Sequence, residues 1–346
     1  MNFIGWHHKA IRSLRRLVYV SPVITILCLV LLYSSDSATK IWSRTSQAGV
    51  QGQPKKSACG PVRQDPHGEK APLVLVNGTH TLLVSAYLEH RTGKREVRVI
   101  AVVLRSERVA YRCHLCCEGH NISTPLHISE GHASIHWDHF GFRYGTADIM
   151  CPIPPACETP SHVTVTSAVA AASEGKDPPL FLEVLNQEER KDSFPHNFTL
   201  CMSTMFDFTN LLQLVQSMEM LQLLGVSRVV IYKTSCDADT QRLLDYYTDK
   251  GFIEVIPWSM SNHLKVSKSW KPEIAPGDLH YYGQLPALND CVYRYMYQSR
   301  YVAMHDVDEL ILPQSVDSCL LQSLKLIIAC ETRKTPPGKA YLGSTS

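Results

Sequence analysis

The spacing of hydrophobic positions changes near residue 195. Ahead of it, Leu73 to Val76, Thr81 to Leu88 and Val97 to Leu104 are aliphatic or β-branched runs separated by Asn-Gly and Thr-Gly turn signals. Such runs predict short strands, and a small β-rich domain over residues 71–190. After Pro195 the period lengthens. Phe198 to Met202 reads as a strand, and Leu211, Leu214, Val215, Met218 and Leu221 then recur every three or four residues, one face of an amphipathic helix ending at Gly225. Ser227 to Tyr232 is a second strand. Asp237 or Asp239 caps a helix carrying Leu243, Leu244 and Tyr247, Gly251 ends it, and Phe252 to Pro257 is a third strand. A long loop from Trp258 to Gly283 follows, then a helix marked by Leu288, Cys291, Val292, Tyr295 and Met296, and a strand from Tyr301 to Met304. This β-α-β-α-β order predicts an α/β fold: a parallel, Rossmann-type sheet with right-handed crossovers, binding its ligand at the carboxyl ends of the strands.

The longest apolar run lies near the N-terminus. Leu17 to Tyr33, roughly 17 residues broken only by Ser21, Pro22 and Thr25, is just long enough to cross a bilayer. Lys9, Arg12, Arg15 and Arg16 precede it, and basic flanks stay cytosolic. Residues 1–16 are therefore read as a cytosolic tail, 17–33 as an N-terminal transmembrane signal-anchor helix, and the rest as lumenal. A cleaved signal peptide is the competing reading; the long basic region and the lack of a clear small-x-small cleavage site favour the anchor. Residues 34–70, rich in Ser, Gln, Lys, Gly and Pro, read as a stem.

Composition adds the compartment and removes one class of partner. A formal charge of +2 with 19% charged residues, and no long basic block beyond the N-terminus, gives no support for nucleic-acid binding. The sequence does not set an oligomeric state. Asn77, Asn121 and Asn197 each open a glycosylation sequon, in keeping with a lumenal address. Of twelve cysteines, Cys28 lies in the anchor, which leaves an odd number in an oxidising compartment and at least one unpaired. Cys113, Cys116, Cys117, Cys151 and Cys157 can be read as zinc ligands or as disulfides, and the compartment favours disulfides. His132, His136 and His139 have helical spacing, but Gly131, Gly141 and their aromatic neighbours read as loop and turn, so these are expected to be surface histidines.

Candidate chemistry concentrates at Asp306-Val307-Asp308. Transfer of a sugar from a nucleotide-sugar leaves a diphosphate that gathers negative charge, and a hard divalent cation held by oxygen ligands can stabilise it. Carboxylates two apart at a strand end can share such a cation with phosphate oxygens. Spacing alone is weak evidence, since about one Asp-x-Asp is expected by chance in a chain of this Asp content. A second copy, Asp237-Ala238-Asp239, sits at a helix start, where capping explains it. The first copy lies between the apolar segments Tyr301 to Met304 and Leu310 to Leu312, and with Glu309 forms an acidic cluster. Metal binding is the preferred reading, against a salt-bridged structural cluster.

The stretch from Phe198 to Pro313 resembles the family 92 glycosyltransferases, above all their vertebrate members. The likeness is carried by Leu200-Cys201, by Gln216-Ser217-Met218-Glu219 with Leu224-Gly225, and by Val229 to Tyr232. It is strongest from Gly283-Gln284-Leu285-Pro286-Ala287-Leu288-Asn289-Asp290-Cys291 through Arg300-Tyr301-Val302-Ala303-Met304-His305-Asp306-Val307-Asp308-Glu309 to Pro313. Weaker similarity reaches back over the β-rich region to about residue 73. The resemblance implies a GT-A-like domain over residues 195–346, inversion at the anomeric carbon, Mn2+ or another divalent cation as cofactor, and a Golgi membrane enzyme of single-pass type II topology. As in β-1,4-galactosyltransferases of that family, the implied donor is UDP-galactose and the implied acceptor a glycan. By the same analogy Met202, Ser203 and Thr204 lie near uracil and ribose, and Asn289 and Asp290 face the donor or else only stabilise their own helix. Trp258, Trp270, Tyr281 and Tyr282, in or beside the long loop, suit a sugar acceptor or simply pack.

An inverting transferase also needs a carboxylate base to take the acceptor proton, normally found after the metal motif. Beyond Pro313 the family would continue with an acceptor-binding half, whereas here Glu331 to Ser346 is a Pro, Gly, Lys and Ser-rich tail. The expectation is therefore a C-terminally truncated chain whose base lies beyond its end. Its alternative is a catalytically inactive lumenal form with a glycan-binding or regulatory role.

Overall fold

A computed structural model describes residues 73–118, 126–168, 180–309 and 311, all within one compact unit, Lys56–Ser346. The anticipated anchor at 17–33, the stem, Asn121 and the tail lie outside the described residues. Among those described, no helix is long and apolar enough to cross a membrane.

The first eight strands are β1 (Val74–Leu75), β2 (Leu82–Glu89), β3 (Glu96–Leu104), β4 (Tyr111–Glu118), β5 (Leu126–Ile135), β6 (Tyr144–Pro152), β7 (Thr159–Ser167) and β8 (Leu182–Leu185). They pair in the order β1-β2-β3-β6-β5-β4-β7-β8, and β8 returns to pair in parallel with β2 through Ala86–Val184 and Tyr87–Leu185. Seven strands, β2 to β8, thus close on themselves as a barrel. Val97, Val99, Ala101 and Val103 alternate along β3 into the barrel interior, where they meet Leu115, Ile149, Val163 and Val165. Ile100 and Val102, on the other face of the same strand, are equally buried, but against the second half of the unit. Double burial explains why β3 reads as a continuous apolar run rather than an alternating one. Disulfides Cys113–Cys151 and Cys117–Cys157 tie β4 to β6 and to the turn after it. The first crosses the barrel interior, where Gly131 of β5 makes room: a Cβ there would sit 3.0 Å from the Cys113 sulfur.

The remainder comprises β9 (His196–Met205), α1 (Leu211–Leu223), β10 (Arg228–Lys233), α2 (Ala238–Asp249), β11 (Ile253–Pro257), α3 (Gln284–Tyr295) and β12 (Ser299–His305). Its four strands are all parallel, in the order β11-β10-β9-β12. Asn210 caps α1 and Asp237 caps α2 by accepting from the Thr240 N–H at 2.8 Å, while Gly251 at φ 71° ends the turn after α2. A third disulfide, Cys201–Cys291, joins β9 to α3.

The expected class, an α/β, GT-A-like Rossmann-type domain preceded by a small β-rich domain and a transmembrane helix, is overturned as a description of this molecule. Strand outweighs helix among the described residues, and their dominant element is the closed seven-stranded barrel. The expectation failed because closure rests on two residue pairs between β2 and β8, nearly a hundred residues apart in sequence, and local periodicity carries no trace of them. The reading of residues 131–139 as loop and turn also needs correction. Gly131 and His132 lie inside β5, and Gly131 is there for space rather than for turning.

Barrel and sheet share one core. Leu82, Val84, Tyr87, Ile100 and Val102 pack against Cys201, Val230, Tyr232, Ala287, Leu288 and Cys291. At its centre the Asp290 carboxylate, 1% exposed, accepts from the hydroxyls of Tyr87 and Tyr232 and pairs with Arg294 at 3.0 Å. Burial alone would raise the Asp290 pKa; the Arg294 charge and the hydroxyl donors outweigh it and hold the pKa low.

Candidate functional site

Because the four strands of the second sheet are parallel, their carboxyl ends lie along one edge. Register fixes which residues meet there: Met202 of β9 pairs with His305 of β12, and Thr204 with Tyr232 of β10. Met202, Ser203 and Thr204 therefore reach the same level as Asp306, which follows β12 directly. Met202 itself is buried in the core, and the Thr204 hydroxyl is buried without a partner among the described residues.

Asp306 is half-buried and Asp308 exposed, and among the described residues no ion pair involves either. Glu309 folds back over the turn, its carboxylate accepting from the Asp306 N–H at 3.1 Å. His305, partly buried beside them, has neither ring nitrogen hydrogen-bonded among the described residues. Burial lowers its pKa against the opposing pull of Glu309, Asp306 and Asp308. Burial, with the charges of Asp306 and Asp308, also raises the pKa of Tyr281.

Among the described residues no three His, Cys, Asp or Glu side chains gather closely enough to enclose a metal. Two carboxylates with no protein cation beside them nevertheless fit a hard divalent ion of the kind that completes its shell with water and ligand phosphates. A closed, all-protein metal cage does not fit. The Cys113, Cys117, Cys151 and Cys157 alternative as zinc ligands falls with their disulfides. His136 hydrogen-bonds Asp148 at 3.1 Å rather than joining His132 and His139.

Asn289 and Asp290 are not at this edge. The Asn289 side chain donates to the Leu285 carbonyl of its own helix at 2.9 Å, and Asp290 points into the core described above. Trp258, 2% exposed, packs edge-on against Tyr232 and donates to the Tyr282 carbonyl. Trp270, Tyr281 and Tyr282 remain half-exposed. Of the sequon asparagines, Asn77 and Asn197 are exposed. Cys236 is a free thiol.

Sequence reasoning gave no role to Gln284, the first residue of α3. Its side-chain oxygen is buried with no partner among the described residues, and it follows Gly283, which caps the helix at φ 71° without a side-chain bond. Its place at the head of the helix before the acidic motif was the available signal.

Comparison with known proteins now adds the class. Residues 196–328, beginning at β9 and spanning the acidic motif, match the family described as Glycosyltransferase family 92. Two Caenorhabditis elegans proteins are similar. Glycosyltransferase family 92 protein F13G3.3 is 26% identical over 145 residues, 42% of this chain and 27% of that protein. Beta-1,4-galactosyltransferase galt-1 is 20% identical over 254 residues, 71% of this chain and 54% of that protein. Over residues 196–328, somewhat more than a third of its length, this chain is thus similar to glycosyltransferase family 92. It spans about half the length of one of these relatives and about a quarter of the other. Among solved structures, ferredoxin-NADP+ reductase from Plasmodium falciparum aligns over 75% of this chain and 94% of its own at 9% identity, and its TM-score of 0.15 supports no conclusion about fold.

Proposed function

We propose that this chain is a lumenal glycosyltransferase of the Golgi, anchored by residues 17–33, that moves galactose from UDP-galactose onto a glycan acceptor with inversion. The observation that carries the reading is a pair of carboxylates, Asp306 and Asp308, left without a cationic partner at the carboxyl edge of parallel strands in a stretch similar to family 92. In this proposal the two carboxylates hold Mn2+ or another divalent cation, which when bound supplies Lewis-acid stabilisation of the diphosphate as the bond to the sugar breaks. Ser203 and Thr204 line the nucleoside side, with Met202 as the apolar backing, and the unpartnered Thr204 hydroxyl is free to bond the ligand. Asn289 and Asp290 are assigned to the scaffold instead, because their polar atoms are already engaged. Asn77, Asn121 and Asn197 carry N-glycans, which an endoglycosidase mobility shift reports.

The test is Mn2+-dependent hydrolysis of UDP-galactose by the full chain in detergent, with Asp306→Ala beside it. Turnover by wild type, lost in the variant, supports the reading. Absence of both turnover and UDP binding in wild type refutes it for this chain.

A further inference from the structure

Five aromatic rings run in an unbroken row past the carboxyl edge, and one of them comes from the barrel. Phe140, in the turn between β5 and β6, lies edge-on to Trp270 at 4.9 Å. Trp270 stacks on Tyr281 at 5.0 Å, Tyr281 meets Tyr282 edge-on at 5.3 Å, and Tyr282 stacks on Phe206 at 4.6 Å. Phe206 directly follows β9, so this end of the row lies at the carboxyl edge to which register also brings the end of β12 and Asp306 after it. At the other end Phe140 is 44% exposed and Trp137, in the same loop, 84% exposed.

The backbone under the row is strained. Among the described residues five non-glycine positions have positive φ, and four belong to it or adjoin it: Phe140 at 51°, Asp207 at 45°, Tyr281 at 20° and Tyr282 at 51°. Each such conformation is disfavoured for a residue with a Cβ and persists only where surrounding structure enforces it. His280 supplies part of that enforcement. It is fully buried, stacked on Trp270 at 5.5 Å and flanked by the rings of Phe140 and Phe142. Burial, reinforced by His139, lowers its pKa to about 4, so it supports the rings as a neutral imidazole. Rings serving only as core would be covered, whereas these are held in place and left partly open.

We propose that Phe140, Trp270 and Tyr281 form the acceptor platform, on which a pyranose of a neutral glycan lies with its C–H face against the rings. The inference rests on the glycosyltransferase reading and extends it by making the barrel one wall of the acceptor site. A pyranose fits better than an apolar peptide or a lipid for two reasons. Tyr281 and Tyr282 offer phenolic groups, and Lys268 lies 5.4 Å from the Phe206 ring, so polar groups border a narrow aromatic strip, as a sugar with one C–H face and a rim of hydroxyls requires. The strip also ends at Phe206, at the carboxyl edge that carries the residues proposed to hold the donor.

The test is saturation-transfer NMR and tryptophan-fluorescence titration of the full chain with methyl β-D-galactopyranoside, methyl N-acetyl-β-D-glucosaminide and lactose, in the presence of Mn2+ and UDP. At least one saccharide should bind wild type, with transfer strongest to its ring C–H protons. Phe140→Ala and Trp270→Ala should each weaken it by about tenfold, as loss of an aromatic anchor does, and Trp270→Phe should retain most of the affinity. No saccharide binding by wild type, or binding within twofold of wild type in both alanine variants, overturns the platform. Should Trp270→Ala fail to fold, Phe140→Ala on its exposed turn and Trp270→Phe decide the matter. UDP and Mn2+ binding, measured separately on wild type and Asp306→Ala, reports on the donor reading. Absence of UDP and Mn2+ binding in wild type, or donor binding unchanged in Asp306→Ala, with saccharide binding intact refutes that reading and spares the platform.

Discussion

Acidic side chains have different surroundings in the barrel and at the carboxyl edge of the parallel sheet. At the barrel wall Glu89 is held by Arg91 at 2.7 Å and Arg98 at 3.0 Å, and Asp148 is paired with Arg98 and His136. Burial would raise the Glu89 pKa, but its arginine hydrogen bonds pull it down to about 2. The rings and guanidinium groups around Tyr293 of α3 join this cluster, so it also fastens the barrel to the sheet. Asp306 and Asp308 have no such cations among the described residues. Carboxylates that are neutralised in place contribute to stability, and carboxylates left open can serve a ligand.

The contrast can be broken first at Asp290, the most deeply buried acid among the described residues. Arg294→Met leaves its charge without a counter-ion and should cost roughly 3–5 kcal/mol, read from the denaturant midpoint. A loss below about 1 kcal/mol would mean that the tyrosine hydroxyls suffice. At the open edge the pattern should reverse. Asp306→Ala should lower Mn2+-dependent UDP-galactose turnover by about 10²–10³-fold while changing stability by less than about 0.5 kcal/mol. A large loss of stability instead would make Asp306 a structural acid.

The third prediction concerns pH. The folded-state pKa of His280, about 4, lies below its ordinary value, so between the two the unfolded chain binds a proton that the folded chain refuses. Stability from this residue is intact above about pH 6.5 and declines by roughly 3 kcal/mol as pH falls toward 4. His280→Phe should flatten that part of a Tm-versus-pH curve, and equal slopes in variant and wild type would contradict it. The smallest effect is expected at the other Asp-x-Asp. Asp237→Ala removes the cap of α2 and should lower Tm by about 2–4 °C, with turnover unchanged.

Much of the second sheet was legible in the sequence. The apolar spacing marked α1 and α2, Asp237 and Gly251 marked the ends of α2, and the strand before Asp306 was read within two residues of its observed start. Each of these is local, set by helix period, capping and turn chemistry. The barrel was not legible. Its strands were visible from β1 to β3, but an apolar run does not say which partner it pairs with. Asp290 shows the same limit: a carboxylate on a helix just before an acidic motif looks like a ligand contact until Tyr87, two hundred residues earlier, is found bonded to it.

By itself, therefore, the sequence determined the period of the elements, the place of Asp306 and Asp308 at a strand end, and the resemblance to family 92 over residues 196–328, since all three are written in short stretches of neighbouring residues. Tertiary structure alone decided that the strands close into a barrel and that Asp290 is part of the core. It alone decided that a ring from the barrel completes the aromatic row at the carboxyl edge. Those outcomes depend on contacts between residues far apart in the chain, whose entropy of closure is repaid only when many of them form together.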